Sequence, residues 1–260
     1  MNDKKRKRWP LSRISTLHYF KLTFRFGLFL AAVVIYIINR IRATGYLFGG
    51  IEKRPIILVI IWLIFVIEMI LRFFPSKYES MGCQKQFLRN YIPSSNSKVE
   101  MVNKKQSQTT FAVAAVWIIL NAAIGVLYYG GIINEGILLL ISLAYSVCDM
   151  ICILFFCPFH TWIMKNKCCT SCRIYNWDYA MMFTPLIFVK SIYTWSILAL
   201  ALALLIKWEI IHRLYPERFM EATNAGLSCT NCQEKLCHHK KSLQSFLRKH
   251  REHYFSHKSF

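Results

Sequence analysis

The sequence predicts an all-α fold: a polytopic integral membrane helical bundle of about five hydrophobic helices with a basic, Cys-rich C-terminal tail. Three observations predict it. Hydrophobic residues make up 55% of 260 positions, more than a soluble core of that size requires. The surplus is gathered into blocks near the roughly 17–25 residues that span a bilayer. The charge, 33 Lys+Arg against 13 Asp+Glu, lies almost wholly outside those blocks.

Residues 1–25 form a basic N-terminal segment that includes Lys4-Lys5-Arg6-Lys7-Arg8. Its length, and Asn39-Arg40-Ile41-Arg42 where a small-residue cleavage site would fall, argue against a cleaved signal peptide. Phe26 to Ile38 is therefore read as a retained first span, extendable to Leu22 if Arg25 snorkels. A second block, Pro55 to Leu71 with Glu68 near its end, completes a helical pair over residues 26–74.

Residues 75–110 read as a polar linker loop around Pro93-Ser94-Ser95-Asn96-Ser97, and its lone Cys83 as incidental. Residues 111–206 form a three-helix membrane region. Its blocks are Phe111 to Tyr129, which contains Asn121, then Ile137 to Phe156 after a Gly130-Gly131…Asn134-Glu135-Gly136 turn, and Phe183 to Ile206 with Lys190 inside. A Cys-rich loop, 157–182, separates the last two. Trp62, Trp117, Trp162, Trp177 and Trp208 fall within or beside the blocks, as an interfacial belt would have them.

Residues 207–260 form a polar, basic tail containing Cys and His. Leu243, Phe246, Leu247 and Tyr254 have the spacing of a helix on a membrane surface. His250, His253 and His257 share a face of it and read as solvated.

Charge and hydropathy disagree about the fifth block. With a cytoplasmic N-terminus and five crossings, 18 Lys+Arg lie inside and 14 outside. A re-entrant or interfacial fifth block gives 29 inside against 4 outside. That block is nonetheless the longest apolar run, and hydropathy favours a full crossing. Both arrangements stand open on sequence alone. The expected partners are anionic lipid headgroups and other membrane proteins. Nothing resembles a nucleic-acid-binding motif.

The cysteines point to chemistry. Nine of the ten fall in three groups: Cys148, Cys152 and Cys157; Cys168, Cys169 and Cys172; Cys229, Cys232 and Cys237. Cys169-Thr170-Ser171-Cys172 and Cys229-Thr230-Asn231-Cys232 repeat a CTxC knuckle. Two thiolates two residues apart can address one ion from a tight turn, and two such turns complete a tetrahedral zinc or iron site. The candidate metal ligands are Cys168, Cys169, Cys172, Cys229, Cys232, Cys237 and His238, with zinc or an iron–sulfur cluster as cofactor. The 56 residues between Cys172 and Cys229 exceed the roughly 15–20 of a common double-knuckle motif. A site within the tail, Cys229, Cys232, Cys237 and His238, avoids that difficulty. Disulfides are a third possibility. His160, after the Cys157-Pro158 break, could add a ligand to the loop group. Cys148, Cys152 and Cys157 read as packing residues.

Charges inside apolar blocks are costly and usually pair within a bundle. Asp149 with Lys190 is the expected ion pair, and Glu68 is expected to snorkel. No nucleotide-binding or hydrolase motif is present, so no self-contained catalytic constellation is indicated. The functional expectation is an integral membrane protein with a cysteine-ligated metal centre or redox-active thiols near the membrane surface. Its rival is a transport or complex-assembly subunit with incidental cysteines.

Overall fold

The computed structural model describes residues 12–42, 55–94, 99–164 and 168–232. Seven α-helices carry the described chain: α1 (Arg13–Arg42), α2 (Pro55–Leu71), α3 (Met81–Gln84), α4 (Val99–Tyr129), α5 (Glu135–Leu154), α6 (Asp178–Phe183) and α7 (Ile192–Leu214). Among the described residues there is no strand, only an isolated bridge between Pro93 and Asn224. The expected all-α bundle of about five hydrophobic helices is what forms. α1, residues Ser107–Tyr129 of α4, α5 and α7 are long and apolar enough to cross a membrane, and α2 is a shorter apolar helix.

The bundle is turned out as a membrane protein requires. Ile118, Ile119, Val126 and Ile206 are exposed on the outer surface, while Arg25, Asn121, Ser142 and Ser146 are buried. A water-soluble bundle would reverse that pattern.

Helix ends follow local chemistry. Gly131, at φ 72°, closes α4: its N–H reaches Tyr128 O at 3.0 Å, and Ile132 N–H reaches Leu127 O at 3.0 Å. This is a Schellman closure, which favours glycine in the left-handed position. Three residues later the Asn134 side chain accepts from Ile137 N–H at 3.0 Å and caps α5, braced by Tyr36 of α1.

The fifth apolar block is not one helix. α6 and a 3-10 turn, Thr184–Phe188, run inward from the cysteine-rich loop, the chain reverses at Val189-Lys190-Ser191, and α7 runs back. Pro185 lacks the N–H that would continue α6, and Ser191 caps α7. Contacts fix the direction. Phe188 meets Tyr128 and Tyr129 at the far end of α4. The last turns of α7 return to the loop, where Trp208 donates to Arg173 O at 3.1 Å and Arg173 pairs with Glu209 at 2.6 Å. The loop with Cys169 and the segment with Cys229 therefore sit at one end of the bundle, here called the cysteine end.

Two expected boundaries are corrected. Residues 75–110 are not a free linker. Val99–Thr110 continues α4, with no Gly or Pro to stop it. Ser80 and residues 82–86 are buried, and Ser94 N–H bonds Thr223 O at 3.0 Å. The tail likewise starts inside α7, and its residues 216–227 pack over the same end: Arg218 donates to Gln86 O at 3.2 Å and Ala225 N–H to Ile92 O at 2.8 Å. The proposed surface helix with His250, His253 and His257 lies outside the described residues. The tryptophans do not form a simple belt: Trp208 is fully buried and Trp62 donates to Ser196 at 2.8 Å, while Trp162 is exposed.

Candidate functional site

Near the cysteine end a network of charges runs through the bundle. On α1, Lys21 and Arg25 are one turn apart. So are Glu68 and Arg72 at the end of α2. Arg25, only 2% exposed, donates to Glu68 at 2.9 Å and to Asp149 of α5 at 3.1 Å, with a further bond to Ser146 O at 3.3 Å. Lys21 lies 3.4 Å from Glu68 and 3.6 Å from Glu79. Arg72 reaches Asp178 at 2.5 Å and Glu79 at 3.9 Å. Tyr179 donates to Glu68 at 3.0 Å and its ring faces Arg72 at 4.5 Å. Burial works to raise the Glu79 carboxyl, but Arg72 and Lys21 outweigh it and hold it below the ordinary carboxylate range. Among the described residues, buried His18 beside this network has no hydrogen-bond partner at either ring nitrogen.

This network corrects three expectations. Asp149 pairs with Arg25 and not with Lys190, which is exposed at the opposite end. Glu68 does not snorkel, because two cations hold it inside. Nor does Arg25, because two carboxylates anchor it more strongly than water at the helix end would.

Beside the network lies a cavity of about 130 Å³. Five thiols line it: Cys148 and Cys152 of α5, Cys157 beyond the helix, and Cys169 and Cys172 of the first knuckle. Asp149 and Asp178 also line it, and Trp117, Tyr145, Phe159 and Met181 contribute apolar walls. Positions 145, 148, 149 and 152 share one face of α5 at three- and four-residue spacing, which turns thiols and acid toward the same space. Cys152, in the last turn of α5, and Cys157, just beyond it, both line this cavity. Asp178 Oδ2 is held by Arg72, while its Oδ1 is buried without a hydrogen-bond partner.

The α5 cysteines, read from sequence as packing residues, thus line the cavity. The signal available for them was the four-residue step from Cys148 to Cys152, with Asp149 between and Cys157 just beyond.

Both CTxC knuckles form tight turns, closed by Cys172 N–H to Cys169 O at 3.0 Å and Cys232 N–H to Cys229 O at 3.5 Å. The first is held from beneath by Lys85, whose ammonium, buried against Trp208 and Phe219, donates to Thr170 O at 2.7 Å and Cys172 O at 2.8 Å. Burial pushes the Cys172 thiol up to about 12 in spite of that nearby cation. Cys83, fully buried, is likewise pushed up by burial. Cys168 is partly buried against Thr170 at 3.2 Å. Cys229 is exposed and Cys232 partly so, and no disulfide joins any two of the nine described cysteines.

Among the described residues no three His, Cys, Asp or Glu side chains converge to hold a metal ion. Cys168, Cys169, Cys172, Cys229 and Cys232 are therefore not brought together as a ligand set in this arrangement. Cys237, His238 and the His160 side chain lie outside what the structure describes.

No family model matches the chain, and neither a curated protein nor a solved structure does. The fold and site define a class only, that of a helical protein with membrane-spanning character and a thiol-lined cavity.

Proposed function

We propose that this chain is a multi-pass membrane protein in which Cys152 and Cys157 form a dithiol–disulfide redox couple. The observation that carries the reading is that these two thiols line one cavity together with three further cysteines and Asp149. One thiolate attacks the disulfide of a partner and expels a partner thiolate. The second thiol then displaces the partner from the mixed disulfide, leaving a Cys152–Cys157 disulfide and two reduced partner thiols. Asp149, three residues before Cys152 on the same helix, receives the thiol proton and remains oriented by Arg25.

The cysteine end faces the cytoplasm and its anionic leaflet on this reading. Among the described residues Arg13, Lys77, Lys85, Arg89, Arg173 and Arg218 lie toward that end, against Arg40, Arg42 and Lys190 at the other. Impermeant maleimide applied to intact cells is expected to spare Cys229.

The couple is tested on purified protein equilibrated in glutathione buffers from roughly −300 to −150 mV. Mass spectrometry of the alkylated protein is expected to find one disulfide, between Cys152 and Cys157, with two thiols lost together. Cys152→Ser and Cys157→Ser each abolish that loss. A disulfide elsewhere, or none across the range, overturns the assignment.

The exposed Cys229–Cys232 turn favours a second reading, a zinc or iron–sulfur site completed by Cys237 and His238. Elemental analysis of anaerobically purified protein, with Cys229→Ser as control, is expected to show one metal centre lost with the variant. Equal metal content in both removes it.

A further inference from the structure

The thiol-lined cavity has features that thiol chemistry with a water-borne partner does not use. It is walled by aromatic and apolar side chains, with the Trp117 and Tyr145 rings 4.8 Å apart and tilted by 56°. Its volume, about 130 Å³, is close to the roughly 150 Å³ of an apolar cavity that admits a benzene ring. It reaches the outer flank of the bundle, because Cys148, one of its lining residues, is exposed on α5 within an apolar span. A ligand arriving there comes from the hydrocarbon. Two carboxylates, Asp149 and Asp178, also line the cavity. An acyl chain would fill the apolar space but could take no electrons from the thiols that share it.

We infer that this cavity receives the ring of a lipid-soluble quinone, which acts as the two-electron acceptor for Cys152 and Cys157. The inference rests on the assignment of that pair as a redox couple and adds its membrane partner. Trp117 and Tyr145 provide flat apolar walls for the ring. The two S–H bonds break and one S–S bond forms. The two electrons and two protons pass to the ring carbonyls, so one dithiol and one quinone become one disulfide and one hydroquinone.

The test uses reduced, full-length protein in detergent micelles under anaerobic conditions, with decyl-ubiquinone as the probe, whose fully substituted ring resists addition of thiols. Quinone reduction is followed by ultraviolet absorbance and thiol loss by alkylation and mass spectrometry. One quinone reduced per protein, with two thiols lost as Cys152–Cys157, is the expected result. Cys152→Ser stops the reaction, and Trp117→Leu slows it at least tenfold at subsaturating quinone. Binding is read separately in the Cys152→Ser, Cys157→Ser variant as protection of Cys148 from a lipid-soluble maleimide. Decyl-ubiquinone is expected to slow that labelling at least fivefold and decanol to leave it unchanged.

Equal protection by decanol identifies a simple lipid groove and overturns the inference. A Cys152–Cys157 disulfide that forms with oxidised glutathione but never with the quinone overturns the inference while leaving the couple intact. Failure with both oxidants overturns the couple and the inference together.

Discussion

Replacing Arg25 with methionine removes the cation that, among the described residues, touches both Glu68 and Asp149. At 2.9 and 3.1 Å, each contact carries about 5 kcal/mol of attraction at an effective dielectric of roughly 20. Most of that is offset by the cost of bringing Arg25 and its partners out of water. Arg25→Met keeps the carboxylates inside and deletes their compensation, the situation in which loss of a buried partner costs about 3–5 kcal/mol. The assay is unfolding by sodium dodecyl sulfate in mixed micelles, followed by far-ultraviolet circular dichroism. The triple variant Arg25→Met, Glu68→Gln, Asp149→Asn removes the charges as a set and is expected to regain most of the loss, since Tyr179 can still donate to residue 68. The reasoning is refuted if Arg25→Met unfolds within about 0.5 kcal/mol of the parent, the ordinary scatter of surface substitutions. It is refuted equally if the triple variant is no more stable than the single one.

Two further outcomes follow from the first knuckle. Lys85→Met leaves the carbonyls of Thr170 and Cys172 without their buried donor, at about 1–3 kcal/mol apiece. Alkylation of Cys169 is then expected to quicken about tenfold, and an unchanged rate would show that the lysine does not hold the turn. The Cys172 thiol, at about 12, should react with iodoacetamide at pH 8 roughly 10³-fold more slowly than in the unfolded chain, where an ordinary thiol ionises near 8.5. Because its folded value is the higher one, its contribution to stability is full below about pH 8.5. That contribution falls as pH rises toward 12, so denaturation midpoints should decline over that window.

Apolar block length made the helices legible, and it placed the α4–α5 turn within a residue or two because Gly131 and Asn134 have direct backbone roles. It misled at Phe183 to Ile206, where a long, mostly apolar block hid a reversal. Pro185 and Ser191 were the local signs, but a hydropathy window does not weigh a missing N–H. The site was legible in type and not in place. Clustered cysteines drew attention to the knuckles, whereas the cavity depends on α5 facing the loop, a tertiary fact. The partner of Asp149 was hidden for the same reason. Arg25 lies 124 positions away, and nothing local distinguishes it from a snorkelling residue.

The charge network also has an order in time. During synthesis Arg25 emerges 43 residues before Glu68 and 124 before Asp149. Arg72 precedes Asp178 by 106, and Lys21 and Arg72 both precede Glu79. Every carboxylate of the network therefore leaves the ribosome after at least one cation that will neutralise it. A chain inserted from its N-terminus never has to house these acids unaccompanied. Reversing the order, for instance by exchanging Arg25 and Asp149, would keep the final pair yet alter the nascent chain's path into the membrane.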